Sequence, residues 1–200
     1  MKILAFTDLH LSSPAFKKIK SKVKKQDPEL IVCAGDISIL EQDMDFILNK
    51  LSKLKKKVLI IHGNHETASV LNKLCQKYDN LFFIHKKCYK HENYILLGYG
   101  GGGFSLTDPD FYKTGEKFHE IIKKNNDKKI IFVTHAPPYN TNLDLMVGSH
   151  YGNKTLKNFI LKNKVDLCVC GHLHENFGKE DKVKGTLVIN PGPYGKVLRL

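Results

Sequence analysis

Short apolar runs recur along the whole chain, and helix-like segments separate the first four of them. Most of these runs are continuously apolar rather than alternating, as in KILAFT at 2–7 and ELIVCA at 29–34. Continuous apolar character is typical of strands that are buried on both faces. Strands that alternate with helices indicate parallel pairing, because parallel neighbours need a crossover connection. The predicted fold class is therefore α/β.

Changes in residue pattern set the bounds of the predicted elements. Predicted strands cover residues 2–7, 29–34, 57–61, 81–85, 94–98, 129–134, 166–170, 185–190 and 195–199. Predicted helices cover residues 14–25, 41–55, 67–77, 108–125 and 152–163. The stretches 81–103 and 185–200 show no helical pattern, which favours added strands, with antiparallel pairing as an option. No linker, repeat or low-complexity segment interrupts the chain, so we expect residues 1–200 to form a single domain.

The composition is typical of a soluble globular protein, with 42% hydrophobic and 26% charged residues. No apolar run approaches the ~20 residues that a membrane span needs. The N-terminal stretch carries Asp8 and His10 where a signal peptide would still be apolar or small. The 5 cysteines are odd in number, which favours reduced, buried thiols. We therefore expect a cytoplasmic protein that makes no membrane contact.

The formal net charge of +12 raises the question of a nucleic-acid partner. Among the 32 basic residues, however, Arg199 is the only arginine. Arginine is the usual specific reader of phosphate and guanine. The lysines are spread along helix-like segments, where we expect them to be solvated. A nucleic-acid partner therefore stays open but is not favoured.

Side chains that can bind metals follow five of the predicted strands. In chain order they are Asp8 and His10, Asp36, Asn64 and His65, His135, and His172 and His174. Ligands of open α/β sheets bind beyond the carboxyl ends of the strands, so we expect these side chains to meet at one edge. A single histidine at a strand end is usually only hydrogen-bonded. The repeated placement after separate strands is what favours a site.

The donor types indicate the kind of metal. Mixed carboxylate, imidazole and carboxamide ligands suit transition metals better than a thiolate site or an all-oxygen magnesium or calcium site. The number of donors exceeds the need of one ion and suits two ions about 3.5–4 Å apart. We predict two divalent ions, with Mn²⁺ favoured and Ni²⁺, Co²⁺, Fe²⁺ or Zn²⁺ as alternatives. Two carboxylates leave such a pair positively charged, which favours phosphate binding.

The same blocks, taken in order, carry a family resemblance. They are DLH at 8–10, GD at 35–36, GNHE at 63–66, TH at 134–135 and GHLH at 171–174. Together they resemble the calcineurin-like metallophosphoesterase family, and in particular its small prokaryotic cytoplasmic members. The resemblance implies a four-layer α-β-β-α sandwich of two mixed sheets flanked by helices. It places a dinuclear metal site at the carboxyl ends of the strands.

The resemblance also implies roles for single residues. One ion would be bound by Asp8, His10, Asp36 and His174, and the other by Asp36, Asn64, His135 and His172. Asp36 would thus bridge the two ions, and a bridging hydroxide would attack phosphorus in line. His65 would contact the phosphate with Asn64, stabilise the transition state and act as general acid toward the leaving oxygen.

Three further features have two interpretations each. Glu66 would either orient His65 or act as a carboxylate at a helix start. His150 would either bind substrate phosphate with the amides of the following helix or lie in a surface loop. The glycine cluster at 98–104 would either border the substrate entrance or form a purely structural turn.

The favoured function is a metal-dependent phosphodiesterase that acts on a small phosphate ester in an open cleft. A nuclease or a phosphomonoesterase using the same site is the alternative. A non-enzymatic interaction scaffold is less favoured, because every ligand position and His65 are filled. The physiological substrate, the native metal and the oligomeric state do not follow from the sequence.

Overall fold

The computed structural model describes residues 1–200 and contains two large sheets. The first sheet consists of β1 (Lys2–Phe6), β2 (Leu30–Cys33), β3 (Lys57–Ile60), β4 (Leu81–Phe83) and β13 (Lys196–Arg199). Its order is β13-β1-β2-β3-β4. The first four strands pair in parallel, and β13 pairs antiparallel to β1. The two ends of the chain therefore meet in one sheet, while the single-domain assignment of residues 1–200 stays a prediction.

The second sheet has a parallel centre and antiparallel edges. It consists of β5 (Lys87–His91), β6 (Tyr94–Tyr99), β7 (Lys129–Thr134), β10 (Leu167–Val169), β11 (Glu180–Val183) and β12 (Thr186–Ile189). Its order is β11-β12-β10-β7-β6-β5, with β11 and β5 pairing antiparallel to their neighbours. A small separate hairpin joins β8 (Leu145–Met146) and β9 (Ser149–His150).

Five α-helices connect the strands. They are α1 (Ser13–Gln26), α2 (Met44–Ser52), α3 (Ala68–Cys75), α4 (Phe111–Lys123) and α5 (Lys154–Lys162). Helix α1 begins where the Ser12 side chain accepts a hydrogen bond from the amide of Ala15, and it ends at Asp27 in the left-handed conformation. None of the helices combines the length and apolar character that a membrane crossing requires.

Three apolar clusters define four layers. A central cluster contains residues of both sheets, such as Val32 of β2 and Val133 of β7, so the two sheets pack face to face. A second cluster joins the outer face of the first sheet to α1, α2 and α3. A third joins the second sheet to α4 and α5. This arrangement confirms the predicted α-β-β-α sandwich of two mixed sheets.

The differences from the predicted elements are local. Strands β5 and β11 were not predicted, because their sequences KCYKH and EDKV are charged and lie at sheet edges. The hairpin β8–β9 is too short to produce a pattern. Helix α2 begins at Met44 rather than 41, since Leu40, Glu41 and Asp43 adopt left-handed backbone conformations. The added strands expected near both stretches without helical pattern are confirmed.

The cysteine prediction holds for four of the five thiols. All 5 thiols are free, and those of Cys33, Cys75, Cys168 and Cys170 are buried, whereas Cys88 is half-buried. Burial raises the pKa of the Cys75 and Cys168 thiols to about 12. These thiols therefore belong to the apolar packing and are poor metal ligands near neutral pH.

Candidate metal centre

The candidate ligands lie on loops that follow β1, β2 and β3 of the first sheet and β7 and β10 of the second. The expectation of a single sheet edge is therefore wrong in detail, because the carboxyl ends of two packed sheets adjoin there. Backbone hydrogen bonds join the loops across strands. Asp8 N donates to Gly35 O at 3.0 Å, and Gly171 N donates to His135 O at 2.9 Å.

Several candidate ligands have an unusual backbone conformation. Asp8, His10, Asp36 and His172 all have positive φ, between 43° and 71°. For residues other than glycine this region costs on the order of 1–3 kcal/mol each, and the surrounding structure must impose it. Here the bonds between loops impose it, for example His10 N to Asp36 O at 3.1 Å. Backbone strain thus helps to direct these side chains to one point.

The first donor group consists of Asp8, His10, Asp36 and His174. Nε2 of His10 lies 3.3 Å from Nε2 of His174, 3.8 Å from Oδ2 of Asp36 and 3.9 Å from Oδ1 of Asp8. Nε2 of His174 lies 3.6 Å from Oδ1 of Asp8. All four predicted ligands of the first ion therefore present donor atoms around one small volume.

The second donor group contains His135, Asn64, Asp36 and His172. Nε2 of the buried His135 lies 3.0 Å from Oδ1 of Asn64 and 3.3 Å from Oδ2 of Asp36. The ring of His172 lies 5.2 Å from that of His135. Its Nε2 atom is buried and has no hydrogen-bond partner. Asp36 faces both groups, as a bridging ligand must.

The histidine tautomers favour a cation. Nδ1 of His10 lies 2.9 Å from Ser38 O, and Nδ1 of His135 lies 2.8 Å from Ala34 O. A carbonyl oxygen only accepts, so Nδ1 carries the proton of each neutral ring, and Nε2 then presents a lone pair to the centre. Metal-binding histidines are usually held in this way. Nitrogen lone pairs and carboxylate oxygens converge here with too few N–H or O–H groups between them to form hydrogen bonds. Two divalent metal ions would fit such an arrangement.

Both carboxylates divide their oxygens between protein and centre. Oδ2 of Asp8 accepts from Thr7 Oγ1 at 2.7 Å and from His172 N at 3.0 Å. Oδ1 of Asp36 accepts from His65 N at 3.0 Å. The other oxygen of each carboxylate faces the histidine rings. The side chains are therefore fixed in orientation before any ligand binds.

Asp36 and His135 form a strongly coupled pair. Burial opposes the charge of Asp36, but the hydrogen bond and charge of His135 prevail and lower its pKa to about 2. Burial likewise opposes a charged His135, but Asp36 prevails and raises its pKa to about 9. Burial lowers the pKa of His172 to about 4. A proton on His135 and a metal ion therefore compete for one position.

His65 presents its Nε2 atom to the centre. The amide of Leu40 donates to Nδ1 of His65 at 3.3 Å. Because an amide nitrogen only donates, the neutral ring carries its proton on Nε2. That atom lies 4.0 Å from Oδ2 of Asp36, and the ring lies 4.9 Å from that of His10. His65 can thus donate a hydrogen bond to a group bound at the centre.

Both interpretations of Glu66 are wrong. Its carboxylate accepts from the amides of Asp36, Ser38 and Gly63 at 2.9–3.1 Å and from the Ser38 hydroxyl at 2.9 Å. It does not orient His65, and α3 begins only at Ala68 with no acidic residue in its first turn. Glu66 is buried and joins the loop of Asp36 to the loop that follows β3. The GNHE block contained the residue and its partner Gly63, but the partners Ser38 and Asp36 lie 28 and 30 positions earlier.

His150 is held by a carboxylate that the sequence analysis missed. Nδ1 of His150 lies 2.8 Å from Oδ1 of the fully buried Asp144. Two of the amides at the start of α5 already have protein partners, since Asn153 Oδ1 accepts from Leu156 N and Leu106 O accepts from Lys154 N. The role of His150 in substrate binding stays a prediction.

The glycine loop lies beside the centre. Gly101 N donates to His62 O at 3.0 Å, and a Cβ atom at Gly100 would lie 2.4 Å from the same oxygen. A Cβ atom at Gly103 would lie 3.9 Å from Cε1 of His172. The loop is therefore close-packed on His62 and reaches a candidate ligand, which favours its role as a border of the site.

Comparison with known families identifies relatives over nearly the whole chain. The profile of the calcineurin-like phosphoesterases matches residues 1–176. An uncharacterized protein of Methanocaldococcus jannaschii is 32% identical, with 96% of this chain and 88% of that protein aligned. A probable cyclic nucleotide phosphodiesterase of Coxiella burnetii is 24% identical, over 88% of this chain and 77% of that protein.

Solved structures show the same fold at low identity. A protein of Thermus thermophilus superposes with a TM-score of 0.76 at 15% identity, covering 96% of this chain and 88% of that one. A dimetal phosphatase from Danio rerio superposes with a TM-score of 0.72 at 8% identity, covering 95% and 86%. The similarity to these proteins therefore includes the arrangement of both sheets.

Proposed function

Because the chain belongs to the calcineurin-like phosphoesterase family, we propose that it is a two-metal phosphodiesterase acting on a small substrate. The family supports a metal-dependent phosphoric ester hydrolase. The observation that carries the proposal is the pair of donor groups that share Asp36. Lone pairs and carboxylate oxygens converge there within 3.0–3.9 Å of one another.

The ligand assignment follows the two groups. Asp8, His10, Asp36 and His174 would hold one ion, and Asp36, Asn64, His135 and His172 the other. When bound, the ions supply positive charge to the phosphate and lower the pKa of water toward neutrality. The mixed nitrogen and oxygen donors suit divalent transition metals, and among these we propose Mn²⁺, with Ni²⁺, Co²⁺, Fe²⁺ and Zn²⁺ as alternatives.

We assign His65 the interaction with the leaving oxygen. Its Nε2–H faces the centre, and this orientation is fixed because the Leu40 amide occupies Nδ1. Full proton transfer requires a doubly protonated ring, whose Nδ1–H would meet the Leu40 N–H. The structure therefore favours hydrogen-bond donation to the developing charge over the complete proton transfer expected of a general acid.

The preference for a diester rests on the rim of the centre. Leu40, which binds His65 through its amide, is 71% exposed, and Phe104, which contacts His172, is 59% exposed. A diester carries an organic group on each side of phosphorus, whereas a monoester carries only one. An exposed apolar residue adjoins a histidine of the site on each side, which supports the preference for a diester. The name of the Coxiella burnetii relative points the same way.

The test is a paired assay. Protein stripped of metal and reloaded with Mn²⁺ is given bis-p-nitrophenyl phosphate and p-nitrophenyl phosphate at equal concentration. We expect faster cleavage of the diester, full loss with chelator, and a loss on the order of 10²-fold or more in His65→Ala. His119→Ala is the control, because His119 lies on α4 and binds Asn163. Faster cleavage of the monoester would overturn the diester assignment.

A further inference from the structure

An aromatic pair stands exposed beside the candidate metal centre. The ring of Phe104 lies 4.5 Å from that of His172 and 6.2 Å from that of Tyr151. Phe104 is 59% exposed and Tyr151 is 37% exposed. We call Phe104 and Tyr151 the aromatic flank. Large exposed rings next to a polar centre are typical of a surface that a ligand covers.

Hydrogen bonds fix the aromatic flank in position. Tyr151 N donates to Asp144 O at 2.9 Å, and Gly152 N donates to Oδ2 of the same buried residue at 2.9 Å. On the other side, Asn153 Nδ2 donates to Ser105 O at 2.9 Å and joins the two segments. These bonds fix the backbone segments that carry the two rings, so a guest would have to order only the side chains.

The flank and His65 lie at different donor groups. His65 contacts His10 of the first group, whereas Phe104 contacts His172 of the second. If His65 faces the leaving oxygen, the group that stays on phosphorus extends toward Phe104. The two rings of the flank stand at 87° to each other and so offer one face and one edge to a planar guest.

We propose that the aromatic flank binds a planar aromatic group, of the nucleobase class, on the alcohol that remains esterified to phosphate. This inference rests on the proposed phosphodiesterase function and names the substrate class of the same site. Base stacking on aromatic side chains tolerates different bases, and the gain per base is large enough to select a substrate. An alkyl group of equal area gains no such face-to-face contact.

The test keeps the leaving group constant. The p-nitrophenyl ester of thymidine 5′-monophosphate and ethyl p-nitrophenyl phosphate both release p-nitrophenolate. The Mn²⁺-loaded protein should prefer the thymidine ester by at least about fivefold in kcat/KM. Phe104→Ala should bring the ratio near one, and Phe104→Trp should keep it. A ratio cancels any general effect of the variant on His172. Tyr112→Ala, at a ring 62% exposed on α4, should not change the ratio.

A second pair of substrates separates planarity from apolar area. Benzyl p-nitrophenyl phosphate should be preferred over its cyclohexylmethyl analogue by the wild type and not by Phe104→Ala. Equal rates for the two analogues, or a ratio that Phe104→Ala leaves unchanged, would overturn the aromatic flank but keep the phosphodiesterase. No cleavage of any ester by the metal-loaded protein would overturn both.

Discussion

Two buried carboxylates, Glu66 and Asp144, organise the two halves of the site in the same way. Glu66 accepts hydrogen bonds from the backbone amides of Asp36, Ser38 and Gly63. Asp144 accepts from the amides of Thr141 and Gly152 and lies 2.8 Å from His150 Nδ1. Each carboxylate accepts hydrogen bonds from loop amides that have no partner in a helix or a sheet.

The two carboxylates differ in what they hold. Glu66 lies behind a shared metal-ligand candidate, in the loop that follows β3 of the first sheet. Asp144 lies in the long loop between β7 and α5, behind His150 and the aromatic flank. The comparison indicates that Glu66 supports the candidate metal centre, whereas Asp144 supports the loop that we propose to contact the substrate.

The largest effect is expected at the residue both donor groups share. Asp36→Asn should remove both ions and reduce activity on the order of 10³-fold or more, because each group loses a charged ligand. Metal analysis by mass spectrometry after dialysis, with activity measured on the same sample, checks this. Retention of one ion would show that Asp36 does not bridge.

Glu66→Gln should lower metal affinity about 10–100-fold, the usual result of losing the residue that orients a ligand. The Gln side chain has nearly the same size, but its NH₂ group would face backbone N–H groups that donate hydrogen bonds to the Glu66 carboxylate. At least one of these hydrogen bonds would therefore be lost. Titration with Mn²⁺ by calorimetry measures the change. Unchanged affinity with reduced thermal stability would restrict Glu66 to a structural role.

Lower pH should weaken metal binding through His135. Its pKa is raised to about 9, so the proton is bound below that pH and must leave when a metal binds. Affinity for Mn²⁺ should therefore fall by up to ~tenfold per pH unit as pH decreases from about 9. Calorimetry in buffers of different ionisation enthalpy should detect the released proton. No proton release between pH 7 and 8 would contradict the competition.

Asp144→Asn should have the smallest effect, and this effect should be on substrate binding rather than on metal binding. The metal content and kcat should stay close to wild type, while KM for the thymidine ester rises about tenfold, which corresponds to the loss of about 1.5 kcal/mol for one hydrogen bond to a charged group. Steady-state kinetics with metal analysis separates the two quantities. Loss of metal in this variant would remove the distinction between the two carboxylates.

Most of the fold and the set of candidate ligands could be predicted because they depend on residue patterns within short segments of the sequence. Continuous apolar runs identify central strands, and polar residues at their ends identify a site, so Asp8, Asp36 and His135 could be found without contacts. The edge strands β5 and β11 could not, because their charged sequences contain no continuous apolar run. The partners of Glu66 and the amide of Leu40 at His65 depend on loops that meet only after folding.

The position of the centre between two packed sheets has a consequence for the folded chain as a whole. Asn64 and Asp36 come from the first sheet, whereas His135 and His172 come from the second. An ion bound by all four side chains would link the two sheets, whose strands are far apart in the sequence. At about 100 times its Kd, a ligand that binds only the folded state stabilises it by about 2.7 kcal/mol. Supply of metal in the cell would then govern the lifetime of the protein as well as its turnover.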